Sequence, residues 1–399
     1  MISLEDISQA RENLKGVIHE TGVFYSKTFS AQTGSTVYFK PENYQKTGSF
    51  KIRGAYNKIS KLSKEKKEKG VVAVSTGNHS QAVALAAQMF NIPATIIMPE
   101  YTPLSQAAAV ENYGAKVIIK GKTMEKAMQE ANKYVESDMT LIHPFDDEDI
   151  IEGQGTIALE ILDAVRDLDA IVVPIGGGGL ISGIAIAAKQ LRPSIQIIGV
   201  QAEQYNAVKM SLEQGENVCT YSNDYTLADN LAVGKCGKIT YQIISQMVDE
   251  IITVSDDEVS TAIFWLLERL KQVSEGAGAV AVAALLADKI KISNKKIGVI
   301  ITGGNIDLSI LQSIIDKGLM RENRRAEFKL LLKDRPGELH KVTDIISSTH
   351  ANIHSFSHDR TKDGLSHGFV SMHFTVETKD KSHLNKILEK LKKNDIHII

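Results

Sequence analysis

The sequence predicts an α/β protein with parallel sheets, and three observations support this. Short runs rich in Val and Ile alternate with segments of helical periodicity from about Val71 onward. The runs are continuously apolar rather than alternating, which is typical of strands buried on both faces. The chain has 399 residues, 43% of them hydrophobic, so it is long enough for more than one core. Parallel strands joined by helices account for the alternation and for the apolar runs, and the chain is long enough to form them.

Two blocks of alternation follow each other along the chain. In the first, strands and helices are predicted in turn at residues 71–75, 80–90, 94–98, 104–113, 116–120 and 124–135. In the second, helices and strands are predicted in turn at residues 152–166, 170–175, 180–191, 196–200, 256–272, 297–301 and 308–316. The acidic stretch 146–149 separates the blocks. We therefore expect two lobes and a cleft at the carboxyl ends of the strands, where open α/β sheets bind ligands.

A second domain is predicted after the charged segment 318–325, which lacks apolar periodicity. Its strands and helices, at 326–332, 338–349, 351–358, 368–377, 381–393 and 396–399, follow the ferredoxin-like order βαββαβ. We expect a first domain over 1–320, with a smaller lobe inserted at about 50–150, then a linker at 321–325 and the second domain at 326–399. So small a module favours pairing with a second copy, and hence a homo-oligomer.

Composition excludes several classes of protein. The formal net charge of −2 lacks the excess of Lys and Arg that nucleic-acid binding needs. The two cysteines, Cys219 and Cys236, are too few for a disulfide framework and do not have zinc spacing. The N-terminal segment lacks the apolar core of a secretory signal, and no stretch approaches the ~20 apolar residues of a membrane span. We expect a cytoplasmic protein that acts on small molecules.

Histidines cluster near the C-terminus, at His350, His354, His358 and His367. They fall on turns and predicted strands. None lies on a predicted helix, where an i, i+4 pair with a carboxylate partner would form a metal site. No metal site is predicted.

The segment 44–54 (YQKTGSFKIRG) places Lys51 among small and polar residues just before a helix. A lysine acts as a nucleophile only after losing its proton, which desolvation or a nearby cation promotes. Taken alone, Lys51 is better explained as a solvated surface lysine, because most lysines are exposed.

A run of glycines follows the strand predicted at 170–175 and opens a helix at Leu180: Gly176, Gly177, Gly178 and Gly179. Backbone N–H groups at a helix N-terminus can surround an anion, and the helix dipole favours phosphate. The run matches neither GxGxxG nor a P-loop. It therefore favours a phosphorylated cofactor, with a plain flexible turn as the alternative.

Two further motifs stand at the ends of predicted strands. Residues 75–79 (STGNH) enter a helix, where exposed N–H groups and an Asn amide suit a carboxylate or a phenolic oxygen. An ordinary N-cap by Asn78 or Ser80 explains the same residues, and the sequence alone does not separate the two. Thr302 begins the other motif, TGGN, directly after the strand predicted at 297–301.

In this order, the four motifs resemble those of the pyridoxal-phosphate enzymes of the tryptophan-synthase-β type, and within them the threonine and serine dehydratases. The resemblance covers about residues 5–320 and includes 143–147 (HPFDD), 153–158 (GQGTIA) and 274–279 (SEGAGA). It implies the two-lobed fold of that family. It also implies pyridoxal 5'-phosphate as the cofactor, held as a Schiff base by Lys51.

The resemblance also implies a role for each motif. Cofactor contacts fall on Phe50 beside the ring, Asn78 at the phenolic oxygen, Gly176, Gly177, Gly178, Gly179 and Leu180 at the phosphate, and Thr302 opposite the pyridine nitrogen. Substrate contacts fall on Ser75, Thr76, Gly77, Asn78 and His79. Lys51 would then act as the catalytic base. The implied reaction converts L-threonine to 2-oxobutanoate and ammonia, and L-serine to pyruvate and ammonia.

The sequence departs from the dehydratase pattern at several positions. Thr76 replaces the usual Ala, and a hydroxyl there resembles the serine of serine racemases, so racemisation is one alternative activity. Gln201 stands where the racemase pattern supplies a carboxylate to a divalent metal. Asn230 and Gln106 replace a more usual Gly and Lys, for which the sequence offers no physical account. A catalytically silent amino-acid sensor is the alternative from another class.

The segment 334–339 (DRPGEL) resembles the opening of an ACT regulatory domain. In that family amino acids bind between paired domains, near the positions of Pro336, Gly337 and Asn352. A helix N-terminus after the turn suits a carboxylate, and a structural cap with a dimer contact is the alternative. Isoleucine or valine is the expected effector. The sequence leaves open which of them binds, and whether the role is biosynthetic or catabolic.

Overall fold

The computed structural model describes residues 2–220, 222, 225–361 and 364–399 of the chain. The chain divides into two compact units, one ending at Ile306 and one formed by Asp307–Ile399. Each unit has its own hydrophobic core. Within the described residues, no helix is both long enough and apolar enough to cross a membrane.

The strands are numbered in chain order. In the first unit they are β1 (Phe24–Tyr25), β2 (Thr36–Pro41), β3 (Val71–Val74), β4 (Ala94–Met98), β5 (Lys116–Ile119), β6 (Thr140–Leu141), β7 (Ala170–Pro174), β8 (Gln196–Ala202), β9 (Glu250–Val254) and β10 (Lys296–Ile301). In the second unit they are β11 (Arg325–Lys333), β12 (Asn352–Asp359), β13 (Phe369–Glu377) and β14 (His397–Ile398).

The α-helices of the first unit are α1 (Leu4–Leu14), α2 (Lys27–Thr33), α3 (Lys51–Ser60), α4 (Lys64–Lys69), α5 (Asn78–Phe90), α6 (Leu104–Glu111), α7 (Met124–Val135), α8 (Glu148–Ala164), α9 (Gly179–Leu191), α10 (Ala207–Gln214), α11 (Lys238–Met247), α12 (Asp256–Trp265) and α13 (Gly276–Leu286). Those of the second unit are α14 (Leu308–Arg321), α15 (Glu338–Ser347) and α16 (Lys381–Lys393). Short 3-10 turns at Glu42–Tyr44, Glu203–Tyr205 and Asp229–Leu231 and a π-helical turn at Leu266–Leu270 complete the helical elements described.

The first unit contains two sheets, one in each lobe. The larger has the order β1-β2-β10-β7-β8-β9 and is parallel from β2 to β9. The smaller has the order β5-β4-β3-β6 and is wholly parallel. Every residue of β3, β4 and β7 is buried, which explains their unbroken Val and Ile runs. The predicted α/β fold with parallel sheets is confirmed.

Some elements of the first unit differ from the sequence predictions. Strand β2, which was not predicted, pairs with β10, with Val37 opposite Ile297. Its partner is far away in sequence, so no local pattern announces the pairing. The helix predicted over 256–272 ends at Trp265 and continues as a π-helical turn, after which Lys271 adopts a left-handed conformation at φ 59°. That conformation ends the helix.

After α14, the second unit has the predicted order βαββαβ, which confirms the ferredoxin-like arrangement. Its antiparallel sheet has the order β12-β13-β11-β14. Phe328, Phe374 and Phe356 stack in a row across three strands, with centroids 5.9 and 5.7 Å apart. Helix α14, predicted over 308–316, continues to Arg321 and contacts β11.

Candidate active site

A cavity of about 750 Å³ lies between the two lobes of the first unit. Its walls include most of the residues singled out in the sequence: Phe50, Lys51, Ser75, Thr76, Asn78, His79, Gly176, Gly177, Gly178, Gly179, Leu180 and Thr302. Gly77 stands between two of these in the chain. The ends of β3, β7 and β10 carry these motifs, so the structure gathers them at one cleft as the parallel strands require.

Lys51 is the first residue of α3 and projects its amine into this cavity. Its Nζ donates to the carbonyl oxygen of Pro144 at 2.7 Å and lies 5.2 Å from the ring centroid of Phe50. Burial lowers the pKa of this amine to about 8, although the negative charge of Glu275 acts to raise it. The neutral, nucleophilic form of Lys51 is therefore far more populated than that of an ordinary lysine near neutral pH.

Arg53, two residues after Lys51, anchors the start of α3 in a buried ionic cluster. Its guanidinium donates to both carboxylate oxygens of Glu42 at 2.7 and 2.8 Å, and to those of Glu160 at 2.5 and 2.9 Å. Lys40 donates to Glu160 at 2.6 Å. Bidentate contacts to two carboxylates restrict the guanidinium strongly. The cluster consequently fixes the helix turn that carries Lys51.

The glycine run bridges the end of β7 and the start of α9. Gly178 has φ 96°, in the left-handed region that glycine tolerates best. A Cβ on Gly177 would lie 2.3 Å from the ring of Phe145, and one on Gly179 would lie 2.9 Å from the backbone of the same residue. The first N–H groups of α9 have no intrahelical acceptor. Together they form a tight cradle for an anion.

Asn78 is the first residue of α5, but its side chain does not cap that helix. The N-cap is Gly77, without a side-chain hydrogen bond. The Asn78 amide instead donates to Oε1 of Glu275 at 2.5 Å, and its oxygen accepts from Asn305 at 2.5 Å. The hydroxyl of Ser80 donates to the carbonyl of Gly77. The ordinary N-cap is thus excluded as the reason for these residues.

Glu275 is a wall residue to which the sequence analysis assigned no role. It is 3% exposed, and its second oxygen accepts from the Asn230 amide at 3.1 Å. Burial raises its pKa to about 8; Asp229 acts in the same direction, whereas both amides and Lys51 oppose the rise. The only sequence signal was its place in the 274–279 motif, since its partners come from distant segments.

His79 and Thr302 complete the polar lining. Nε2 of His79 lies 2.8 Å from the carbonyl oxygen of Ile142. Burial lowers the pKa of this imidazole to about 3, with Lys51 acting in the same sense, so His79 is neutral. The Thr302 hydroxyl donates to the carbonyl of Ala277 at 3.2 Å, and its own carbonyl accepts from the backbone N–H of Phe50. Thr302 thereby lies beside the Lys51 turn.

Gln201, the residue at the racemase metal position, is engaged at both ends of its amide. Its oxygen accepts from the N–H of Lys209 at 2.9 Å and its nitrogen donates to the carbonyl of Tyr205 at 3.2 Å. It is fully buried and holds the turn after β8. Across the described part of the chain, no group of three or more His, Cys, Asp or Glu side chains is placed to bind a metal.

The residues singled out in the second unit are not brought together within one chain. Pro336 and Gly337 lie in the turn between β11 and α15, where Gly337 has φ 92°. Asn352 begins β12 and pairs with Glu377, which itself pairs with Arg325 at the opposite end of β11. At about 3.3 Å per residue, the length of β11 separates Asn352 from the turn by roughly 26 Å. A site that uses all three needs two copies of the unit.

Comparison with known proteins extends these observations. Residues 14–303 match the family model described as pyridoxal-phosphate dependent enzyme, and residues 320–395 match that of the ACT domain. The chain is 45% identical over 388 residues to the L-threonine ammonia-lyase of Thermotoga maritima, a match covering 97% of this chain and 96% of that protein.

Solved structures from two kinds of enzyme also resemble this chain. A serine racemase from Dictyostelium discoideum is 38% identical with a TM-score of 0.73, covering 77% of this chain and 99% of that chain. The processed form of threonine deaminase isoform 2 from Solanum lycopersicum is 37% identical with a TM-score of 0.73, covering 78% of this chain and 88% of that chain. Fold similarity therefore does not separate racemase from deaminase.

Proposed function

Because the chain belongs to the family of pyridoxal-phosphate dependent enzymes, we propose that it is an L-threonine ammonia-lyase that also accepts L-serine. The observation that carries this proposal is the Lys51 amine, with its pKa lowered to about 8, in one cavity with a glycine cradle. The full-length similarity to an L-threonine ammonia-lyase, which extends through the ACT domain, favours this activity over racemisation. The products are 2-oxobutanoate or pyruvate, with ammonia.

The residues present fit pyridoxal 5'-phosphate. The cradle at Gly177 and Gly179 has no room for a side chain and offers free N–H groups to a phosphate. The Lys51 amine, within the same cavity, can bond to an aldehyde. Phe50 lies beside that amine, where its ring can pack against the aromatic ring of the cofactor. Thr302 supplies a neutral hydroxyl rather than a carboxylate for the pyridine nitrogen.

When bound, the cofactor supplies an electron sink that acidifies the Cα proton of the amino acid. Lys51 takes this proton as the general base, because its amine lines the same cavity as the cradle and its pKa lies near the working pH. Residues 75–79 hold the substrate carboxylate, with N–H groups at the start of α5. His79 stays neutral there, so it orients the substrate by hydrogen bonding rather than by charge. Loss of the β-hydroxyl then follows.

Product analysis of the purified protein tests the proposal. L-Threonine should yield ammonia and 2-oxobutanoate in equal amounts, faster than D-threonine forms from the unreacted substrate. Thr76 lines the cavity and motivates the racemase alternative, so chiral chromatography of the same samples decides between them. A sensor would bind threonine without releasing ammonia. Faster formation of D-threonine, or threonine binding without ammonia release, would replace the proposed function.

Replacing Gly177 by alanine should weaken the binding of pyridoxal phosphate by at least about tenfold, equivalent to about 1.4 kcal/mol. The added Cβ would lie 2.3 Å from the Phe145 ring, so either the ring or the cradle must move. Titration of the apoprotein with the cofactor, followed by visible absorbance, measures the change. Gly176→Ala should weaken binding less, because its Cβ would approach the backbone of Leu231 at 3.2 Å, a contact that a shift of a few tenths of an ångström relieves. Equal affinities of the two variants would contradict a cradle at Gly177.

For regulation, we infer that an amino acid, isoleucine or valine, binds between two ACT domains and changes threonine affinity. The matched ACT domain supports a small-molecule ligand. Because Asn352 and the turn at Pro336–Gly337 lie at opposite ends of β11, the site is completed by Asn352 from a second copy. This arrangement requires at least a dimer. A coupling of ~1–3 kcal/mol is typical of such effects.

A cytoplasmic location stays a prediction from the sequence.

Asn352→Ala should bring the ratio of threonine turnover with and without isoleucine or valine close to one. Its amide donates to Glu377 at 3.3 Å, and we expect that amide to reach the bound effector in the paired domains. Turnover at sub-saturating threonine, measured over a series of effector concentrations, gives the ratio. The control is Asn394→Ala, at the end of α16, which should respond as the wild type does. A full response in Asn352→Ala would place the effector elsewhere.

A further inference from the structure

Residues 226–234, which we call the wall loop, form one side of the active-site cavity. Most of the loop, from Asp229 to Gly234, lines the cavity directly. Its beginning is anchored to α12, because the hydroxyl of Thr226 and the N–H of Leu227 donate to Asp256 at 2.8 and 3.0 Å. The middle of the loop, at Asn230, is fixed in a different way.

Asn230 joins the wall loop to the buried carboxyl of Glu275. Its Nδ2 donates to Oε2 of Glu275 at 3.1 Å, while Asn78 donates to the other oxygen at 2.5 Å. Its own oxygen would lie 3.1 Å from a Cβ placed on Gly77, so the side chain also packs against the substrate motif of the smaller lobe. Asn230 is solvent-accessible inside the cavity.

Glu275 is therefore a carboxyl held between two amide donors. A donated N–H stabilises the ionised form of a carboxyl over the protonated form. The charged groups that act on Glu275 are Lys51 on α3 and Asp229 on the wall loop, of opposite sign. The effects of this cation and this anion on the ionisation of Glu275 oppose each other. The amide hydrogen bonds therefore help to determine whether the carboxyl is ionised.

The charge of Glu275 in turn acts on Lys51. A carboxylate near the amine stabilises its protonated form, and the effect of Glu275 on the pKa of Lys51 has this sign. The base that takes the Cα proton becomes an ammonium at that moment. A carboxylate beside it therefore favours the proton transfer.

We propose that Asn230 is a positioning residue that favours the ionised form of Glu275 and directs its carboxyl at Asn78, and that it thereby supports Lys51 as the base. This role rests on the proposed function, and it gives a physical reason for an asparagine at this position. Glycine at this position would leave one oxygen of Glu275 without its amide donor.

Infrared spectroscopy of the full-length protein loaded with pyridoxal phosphate tests the role without any turnover. The protonated carboxyl of Glu275 has its own band, which is assigned by its loss in Glu275→Gln. The band is followed from about pH 6 to about pH 10. The midpoint of its titration in Asn230→Ala should lie about one pH unit above that of the wild type. Asn230→Asp, which is nearly isosteric, should raise it further, because it sets a second carboxyl beside the first.

Thr226→Val is the matched control, since it loosens the same loop at Asp256 without touching Glu275. Its infrared midpoint should equal that of the wild type. An unchanged midpoint in both Asn230 variants would overturn the role, as would an equal shift in Thr226→Val. Should Asn230→Ala fold poorly, Asn230→Asp carries the test. These outcomes do not depend on threonine turnover, so they are distinct from a failure of the proposed function.

Kinetics provide a second measurement. At about pH 8, kcat for threonine in Asn230→Ala should fall about fivefold, because loss of the amide donor raises the pKa of Glu275 further and lowers the ionised fraction of its carboxyl. KM should change little, since the substrate-carboxylate motif is intact. The deficit should shrink as the pH rises by one unit. A pH-independent deficit would indicate a merely structural effect and would contradict the role.

Discussion

Lys51→Ala should lose threonine turnover by at least about a thousandfold and should lose the visible absorbance of bound pyridoxal phosphate. The substitution removes both the amine that bonds the cofactor and the base that takes the Cα proton. Among the described residues, Lys51 is the only lysine lining the cavity, so no neighbour can take over. Ammonia release, oxo-acid formation and an absorbance scan of the same preparation measure the three losses.

The control for this experiment is Lys69→Ala. Lys69 lies at the end of α4 with 52% of its side chain exposed, paired with Asp138 on the surface. Its loss removes an equal charge at a solvated position, so turnover and absorbance should match the wild type. Substantial threonine turnover by Lys51→Ala would show that this amine is not the base, and the proposed mechanism would fail with it.

The cavity motifs could be predicted because they follow parallel strands directly. Residues 75–79, the glycine run and Thr302 come after β3, β7 and β10 respectively, and the carboxyl ends of parallel strands meet at one side of a sheet. Short-range patterns of Val and Ile mark these strands in the sequence. The gathering of these motifs at one cavity therefore followed from local information.

Glu275 could not be found in this way. Its carboxyl accepts hydrogen bonds from Asn78 and Asn230, which approach it only when the smaller lobe and the wall loop fold against α13. The charge of a carboxyl at such a position follows from burial and from partners distant in the chain, and neither is visible in a local motif. The same reason hid β2, because Val37 pairs with Ile297 of β10, far later in the chain.

The separation of Asn352 from Gly337 shows a third limit. The resemblance to ACT domains places both at one effector site, yet the antiparallel pairing of β12, β13 and β11 sets them at opposite ends of the sheet. The order of strands along the chain can be read from the sequence. In a ferredoxin-like sheet that order already separates Asn352 from Gly337. It does not say which residues a second copy brings back together.

Arg53→Met should be the most destabilising single substitution among the residues around the site. Arg53 and Glu42 are both fully buried, and their charges are balanced by Glu160 and Lys40. After removal of the guanidinium, the partners of the buried Glu42 among the described residues are the Lys40 ammonium at 3.6 Å and the Thr21 hydroxyl. Breaking a buried pair in this way typically lowers the free energy of unfolding by about 3–5 kcal/mol.

The single tryptophan gives a local measurement of this loss. Trp265 lies on α12 in the first unit, in contact with Phe29 at 5.8 Å between ring centroids, so its fluorescence follows the unfolding of that unit in urea. Arg11→Met is the matched control. It breaks the Arg11–Asp163 pair, whose side chains are 43% and 64% exposed, and such pairs contribute about 0–1 kcal/mol. A similar loss in both variants would show that burial does not strengthen the cluster.

The pH dependence of the same measurement identifies the interaction responsible. Burial alone would raise the pKa of Glu42, but Arg53 and Lys40 lower it from 4.5 to about 2. A depressed pKa in the folded state contributes stability above about pH 4.5, and this contribution disappears as the pH falls towards about 2. The difference between the wild type and Arg53→Met should therefore narrow as the pH is lowered through that window. A constant difference would attribute the loss to packing of the side chain rather than to its charge.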